Sequence, residues 1–186
     1  ARKVLTTPRA PEEGVLAGLD RLLRAAGAGP GDVSLVIHGT TLATNAIIER
    51  KGARTALVAT EGFRDTLEIA DEGRFDQYDL LLRKPAPLVP RELRFTVPER
   101  VDARGRVLLP LDEAAVAALG ARLAAEGVES VAIAFLDAYA APEHERRAAE
   151  ILTAAAPGLS ISLSSEVCPE IREYERTSTT AANAYV

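Results

Sequence analysis

The chain has 186 residues, 47% of them hydrophobic and 26% charged, with a formal net charge of −5. That length suffices for one substantial core, and the apolar fraction is too high for a disordered chain. The acidic balance, with no basic stripe to neutralise phosphates, argues against nucleic acid as a partner.

Arg2 to Thr6 reads as a short opening strand closed by Pro8. Pro11, Glu12 and Glu13 suit a helix N-terminus. Val15, Leu16, Leu19, Leu22 and Leu23 then recur at helical spacing to Ala26, where Gly27, Gly29 and Pro30 end the helix. Val33 to Ile37 is a short apolar run predicted to be a central strand. Thr41 to Lys51 is predicted helical, with Leu42, Ile47 and Ile48 inward and Gly52 as its stop. Thr55 to Ala59 is a buried strand, and Glu61 to Ile69 a short helix contacting through Phe63 and Leu67. From Ala70 to Pro90 periodicity breaks down, and an irregular segment of that length tends to be functional or mobile. Arg94 to Val101 alternates, Asp102 to Gly105 turns, and Arg106 to Leu109 returns, which predicts a β-hairpin. Asp112 caps a helix carrying Val116, Leu119 and Leu123, stopped by Gly127. Val131 to Leu136 is a buried strand, Pro142 opens a helix through Leu152, and Leu159 to Leu163 is an edge strand. Pro169 opens a last helix. The order predicts an α/β layer architecture with a mixed sheet and a β-hairpin insertion.

The turn His38-Gly39-Thr40-Thr41 stands where a predicted strand meets a helix, a place where open α/β sheets expose backbone N–H groups to ligands. Asn45 follows Thr41 by one helical turn and shares its face. A threonine-capped helix after a glycine turn has the same spelling, and spacing alone does not choose between the two. Arg50, Lys51 and Arg54 suit a helix C-terminus. Arg64, Asp65, Glu68, Asp71 and Glu72 read as a solvated charged face, whereas Arg74 and Asp76, flanking Phe75 after Gly73, are candidates to clasp a polar ring. His144 is expected to be exposed and not a ligand, and with two histidines in the chain no metal site is expected. The single cysteine, Cys168, excludes an intrachain disulfide and reads as a small packed residue. Thr177-Ser178-Thr179-Thr180 is either a hydroxyl-lined ligand surface or a small-residue helix contact. The sequence holds no Walker loop, no GxGxxG after a strand, no HExxH and no GxSxG. It has no apolar run of membrane-spanning length and no signal-peptide pattern at Ala1-Arg2-Lys3, so a cytoplasmic location is expected. The absence of methionine and the abrupt end at Tyr185-Val186 are expected of a fragment of a larger protein.

The segments HGTTLATNAIIERKGARTALVATEGFRDTLEI and SSEVCPEIREYERTSTTAANAYV resemble the hydantoinase A / 5-oxoprolinase family. So do the start RKVLTTP, the segment VPERVDARGRVLLPLD and the helix PEHERRAAEIL, so that the resemblance covers essentially the whole chain without separating members by substrate. It implies a ribonuclease-H-like (actin-like ATPase) fold, with the family's N-terminal α/β domain over 1–175 and the start of the following domain at 176–186. Members are several times longer, with an ATP-cradling loop expected before Ala1. The implied activity is ATP-dependent opening of a cyclic amide, hydantoin or 5-oxoproline, through a phosphorylated carbonyl. ATP and Mg²⁺ belong to the longer parent; the fragment alone is expected to bind neither and to be inactive. A piece of an ATP-dependent ketone carboxylase subunit and a non-catalytic assembly module are the alternatives. Implied partners are a small cyclic amide and a hydantoinase B-type subunit, with no nucleic acid or membrane. By motif position, Thr40 and Thr41 would be catalytic, and His38, Gly39, Asn45, Arg74 and Asp76 would bind substrate.

Overall fold

The computed structural model describes residues 2–5, 7, 10–71, 73, 76 and 78–186. The chain divides into two compact units, residues 1–40 and residues 41–186.

The first unit is organised by helix α1, Pro11–Ala26. Proline at its first turn, glutamates beside the positive end of the helix dipole and Arg24 in the last turn all favour it. Gly27 ends it at φ 67°, its N–H reaching the Arg24 carbonyl. The Thr7 hydroxyl donates to the Ala10 carbonyl (2.6 Å) and accepts from the Gly14 amide (3.1 Å), tying the preceding chain to the first turn. No strand forms over 2–5, and Thr6 and Pro8 lie outside the described residues. Residues 33–37 form no strand either, and Leu35 and Ile37 are 73% and 88% exposed. An apolar run states a preference for burial. A strand also needs a hydrogen-bonded neighbour, and no ladder among the described residues includes this run.

In the second unit α2, Leu42–Glu49, is shorter than predicted. It stops because Arg50 adopts the left-handed conformation (φ 55°). Leu42 and Ile48 point to solvent rather than inward. Gly52 is not the stop; it lies against Tyr185, where a Cβ would overlap the ring and carbonyl, and the Ala53 amide donates to that carbonyl (2.8 Å). Strand β1, Thr55–Thr60, is buried along its whole length. The short helix α3, Thr66–Ile69, anchors through Leu67.

The predicted hairpin divides in two. Its first half becomes β2, Arg94–Val97, which runs parallel to β1 with Leu57 opposite Arg94 and Thr60 opposite Val97. Only β3, Arg100–Val101, and β4, Val107–Leu109, pair antiparallel. Helix α4, Glu113–Ala125, is capped by Asp112, whose carboxylate accepts from the Ala115 amide (2.9 Å). Strand β5, Ser130–Ala134, is buried throughout. Helix α5, Glu143–Ala155, leads to β6, Ser160–Leu163, then to the short α6, Ser164–Val167, and to α7, Glu173–Tyr185. The order β2-β1-β5-β6 is parallel in every pairing, so among the described residues the sheet is not mixed. β1 and β5 are the central strands. Their continuous apolar runs match strands covered on both faces, and burying side chains such as Leu57 and Ile133 is worth about 1.5–3 kcal/mol each.

Candidate functional site

The connection after β1 leads to one side of the sheet and the connection after β5 to the other. The C-terminal ends of β1 and β5 therefore flank the place where open α/β sheets position ligands. Polar side chains converge there from elements far apart in sequence. Thr60 closes β1; its hydroxyl accepts from the Leu136 amide (2.9 Å) and bonds Glu99 Oε1. Glu99 Oε2 meets His144 Nδ1 at 2.8 Å. The Glu99 side chain is fully buried and that of His144 only 13% exposed, so His144 is neither exposed nor idle.

The next residue, Glu145, is also buried. One of its oxygens accepts from the Phe135 amide (3.0 Å) and the Ser164 hydroxyl (2.6 Å), the other from the Ser165 amide (2.9 Å). Burial pushes its carboxyl up from the ordinary glutamate value, against the pull of these bonds. Arg176, fully buried on α7, donates from Nη1 to the Glu170 carbonyl (2.6 Å) and from Nη2 to the Phe135 carbonyl (3.3 Å) and to Glu173. Its guanidinium lies 5.4 Å from the Tyr139 ring centroid. Burial raises the Glu173 carboxyl, and the neighbouring Arg176 partly offsets that. Residues 135–141 are thus held from both sides, by α5 and by α7, and Asp137 takes φ 56° within them. A loop fixed this way keeps its amides and carbonyls aligned before any ligand arrives.

A cavity of about 350 Å³ lies between the irregular segment and α7, lined by Leu67, Ala70, Lys84, Pro87, Tyr174 and Ser178 among others. Ala70 adopts φ 54°, ψ −144°, a region that disfavours a side chain, at the edge of this cavity. Lys84 Nζ donates to the Ile69 carbonyl (2.8 Å) and so ties the segment to α3. Of the hydroxyl run, Thr177 and Thr180 are buried in the helix contact, and Ser178 lines the cavity.

The residues singled out from the sequence fare unevenly. His38, Gly39 and Thr40 are exposed at the end of the first unit, and a Cβ on Gly39 would meet nothing. Thr41 precedes α2, its carbonyl accepting from the Asn45 amide (2.8 Å) and its hydroxyl from Asn45 Nδ2 (3.3 Å). These two residues are therefore brought together as predicted, on an exposed helix start. Asp76 is exposed and turns the chain by accepting from the Tyr78 amide (3.0 Å). Arg74 lies outside the described residues. Among the described residues no three His, Cys, Asp or Glu side chains could together hold a metal ion, and no helix is long and apolar enough to cross a membrane.

A family model described as the hydantoinase/oxoprolinase N-terminal region matches residues 1–156. The chain is 38% identical, over 99% of its length, to the caprolactamase subunit alpha of Pseudomonas jessenii, and spans 28% of that protein. It is 36% identical, over 80% of its length, to the 5-oxoprolinase of Saccharomyces cerevisiae, and spans 13% of it. The crystal structure of the ATP-dependent caprolactamase superposes on the entire chain with a TM-score of 0.85. Nucleotide-free acetone carboxylase matches 97% of the chain, also at 0.85, with 26% identity.

Proposed function

The chain belongs to the hydantoinase/oxoprolinase family, and from that premise we propose that it is the N-terminal region of an ATP-dependent enzyme that opens a cyclic amide. The observation that carries this reading is the 38% identity, across the full chain and at a TM-score of 0.85, to an ATP-dependent caprolactamase. The same proposal takes the fold as ribonuclease-H-like and actin-like, the location as cytoplasmic and a hydantoinase B-type subunit as the partner. The reading divides the chain into an N-terminal α/β domain over 1–175 and the opening of the next domain over 176–186.

A cyclic amide resists hydrolysis because resonance stabilises it and the opened product recloses. Coupling to ATP removes both obstacles. Among the described residues no three His, Cys, Asp or Glu side chains group to hold a metal ion, and in this reading ATP and Mg²⁺ are held by the longer protein. The chain's own residues bind and orient. In this proposal the hydroxyls of Thr40 and Thr41 and the amide of Gly39 line the reaction cleft and hydrogen-bond the oxygen on which negative charge develops. His38 and Asn45 hold the ring amide, and Arg74 and Asp76 approach it from the irregular segment. Residues 135–141, fixed by Glu145 and Arg176, are held in place after the central strand β5.

The test is ATP hydrolysis by the longer protein that carries this chain, with caprolactam, 5-oxoproline, hydantoin and acetone in parallel. A lactam or imide is expected to stimulate turnover, and Thr41→Ala to cut the stimulated rate about tenfold or more without changing the unfolding curve. Stimulation by acetone and bicarbonate alone would replace this reading with the ketone-carboxylase one, which the acetone carboxylase likeness favours. Unchanged turnover in Thr41→Ala would remove the 38–41 turn from the chemistry.

A further inference from the structure

Strands β2, β1 and β5 are parallel, so their C-terminal ends share one edge of the sheet. At that edge Thr60, Glu99 and His144 form one hydrogen-bonded chain. We propose that His144 is the proton-transfer residue of the ring opening. Its Nε2 takes a proton from the water that attacks the ring carbonyl carbon, and returns it to the ring nitrogen as the C–N bond breaks. The inference rests on the cyclic-amide reading above and adds to it a residue and a role.

The direction of the chain follows from its inner end. Thr60 Oγ1 accepts from the Leu136 amide (2.9 Å), which leaves its own proton for Glu99 Oε1. Glu99 Oε2 faces His144 Nδ1 at 2.8 Å. An ionised carboxylate only accepts, so with Glu99 ionised the proton between the two belongs to Nδ1. The lone pair of the neutral ring is then on Nε2. Among the described residues Nε2 makes no hydrogen bond, and it is not one of the buried side-chain atoms left without a partner, so solvent reaches it. The open end of the chain is therefore the nitrogen that can exchange a proton, at the strand ends where open α/β sheets position ligands.

The Glu99 side chain is fully buried. A buried carboxylate is expensive to keep, and apolar side chains of similar volume would pin the same elements at no loss of stability. What it gives a histidine is orientation, a fixed tautomer, and a counter-charge when the ring takes a second proton. An amide nitrogen leaves carbon only when it is protonated, and imidazole exchanges protons near neutral pH, which suits it to carry that proton. The step balances without a further reactant. One O–H bond of water breaks as C–O forms, and the ring C–N bond breaks as N–H forms. The Nδ1 proton never leaves, and the imidazole ends as it began.

Two variants separate this role from a structural pin. Glu99→Gln can still make both bonds, its carbonyl accepting from Thr60 and its NH₂ donating to Nδ1, but only by moving the ring proton to Nε2. His144→Asn keeps a donor where Nδ1 stood and lacks the outer nitrogen. In the 186-residue chain, ¹⁵N shifts of the His144 ring are expected to place the proton on Nδ1 in the parent and on Nε2 in Glu99→Gln, with similar urea midpoints. A proton on Nε2 of the parent at the assay pH, alone or beside the one on Nδ1, overturns the proposal. In the longer protein that carries this chain, both variants are expected to lower kcat for release of the opened ring from caprolactam about 100-fold or more, with KM little changed. A His144→Asn enzyme that keeps the parent's kcat overturns the proposal and leaves the cyclic-amide reading standing. A parent that opens no cyclic amide overturns both.

Discussion

Glu145 accepts hydrogen bonds that glutamine has no means to accept. Its Oε1 takes two donors and its Oε2 takes the Ser165 amide. A glutamine in either amide orientation turns its NH₂ toward a backbone N–H, of Ser165 in one and of Phe135 in the other, and neither backbone group can reverse its role. Glu145→Gln is therefore expected to cost about 1–3 kcal/mol at neutral pH, read from urea unfolding. A loss near zero would mean that the carboxylate does not hold residues 135–141. Asp102 offers a pH test of opposite character. Its carboxyl lies below the ordinary aspartate value, first because the Arg106 backbone amide donates to it, then through the Arg106 side chain. A depressed folded-state pKa gives stability that is fully present above the unfolded value and lost as pH falls through the folded one. Acidification from neutrality through the aspartate range is therefore expected to release the 102–106 turn, seen as faster exchange of the Arg104 and Arg106 amides. Asp102→Asn should exchange faster already at pH 7. These two residues also mark what a sequence conveys at this scale. The Asp112 cap is legible because its donor is three residues away. Glu99, His144 and Glu145 are not, because their partners lie 10 to 45 residues off and only the folded sheet collects them.

Elements whose pattern is local appear where the sequence places them. Examples are α1 between its prolines and glycines, α4 from Asp112 to Gly127, and the buried runs of β1 and β5. Where the pattern needed a partner to decide it, the reading failed. Alternation from Arg94 onward describes a strand equally well in a hairpin or at a sheet edge; the irregular segment before it lets the chain cross over and pair parallel with β1. The run at 33–37 reads as a strand by composition alone and lacks the ladder. Helix pairing gives the prediction at this scale. Gly120 faces α5, and a Cβ there would stand 2.6 Å from that of Ala155. Gly120→Ala gains about 1 kcal/mol of helix propensity, against about 1–3 kcal/mol for overpacking two helices that cannot approach so closely. Overpacking is expected to win, and the urea midpoint to fall. In Gly18→Ala on α1 the new Cβ meets Val4 at 3.4 Å, an ordinary contact, so propensity decides and helicity at 11–26 rises. A stabilised Gly120→Ala would show that α4 and α5 have room to separate.

The two units of the chain differ in how much they bury. In the second, Ala56, Leu57, Val58, Val131, Ala132 and Ile133 are inaccessible, and the central strands they occupy open only when the sheet is lost. In the first, Gly14 is the only buried residue of α1, and its apolar stripe is left partly in water: Val15 is 45%, Leu16 63% and Leu22 46% exposed. A helix of that length draws most of its stability from the face it buries, and alone in water it is marginal. Its caps, Pro11, the two glutamates and Gly27, supply only tenths of a kcal/mol to about 1 kcal/mol each. Local opening of α1 should therefore need far less free energy than global unfolding. Hydrogen exchange on the 186-residue chain is expected to place the α1 amides orders of magnitude faster than those of β1 and β5. Added urea should speed β1 and β5 together, with the global slope, and leave α1 nearly unaffected until the main transition. Exchange in α1 as slow as in β5 would mean that the helix is held by interactions its burial does not reveal, and that residues 1–40 share the cooperativity of the sheet.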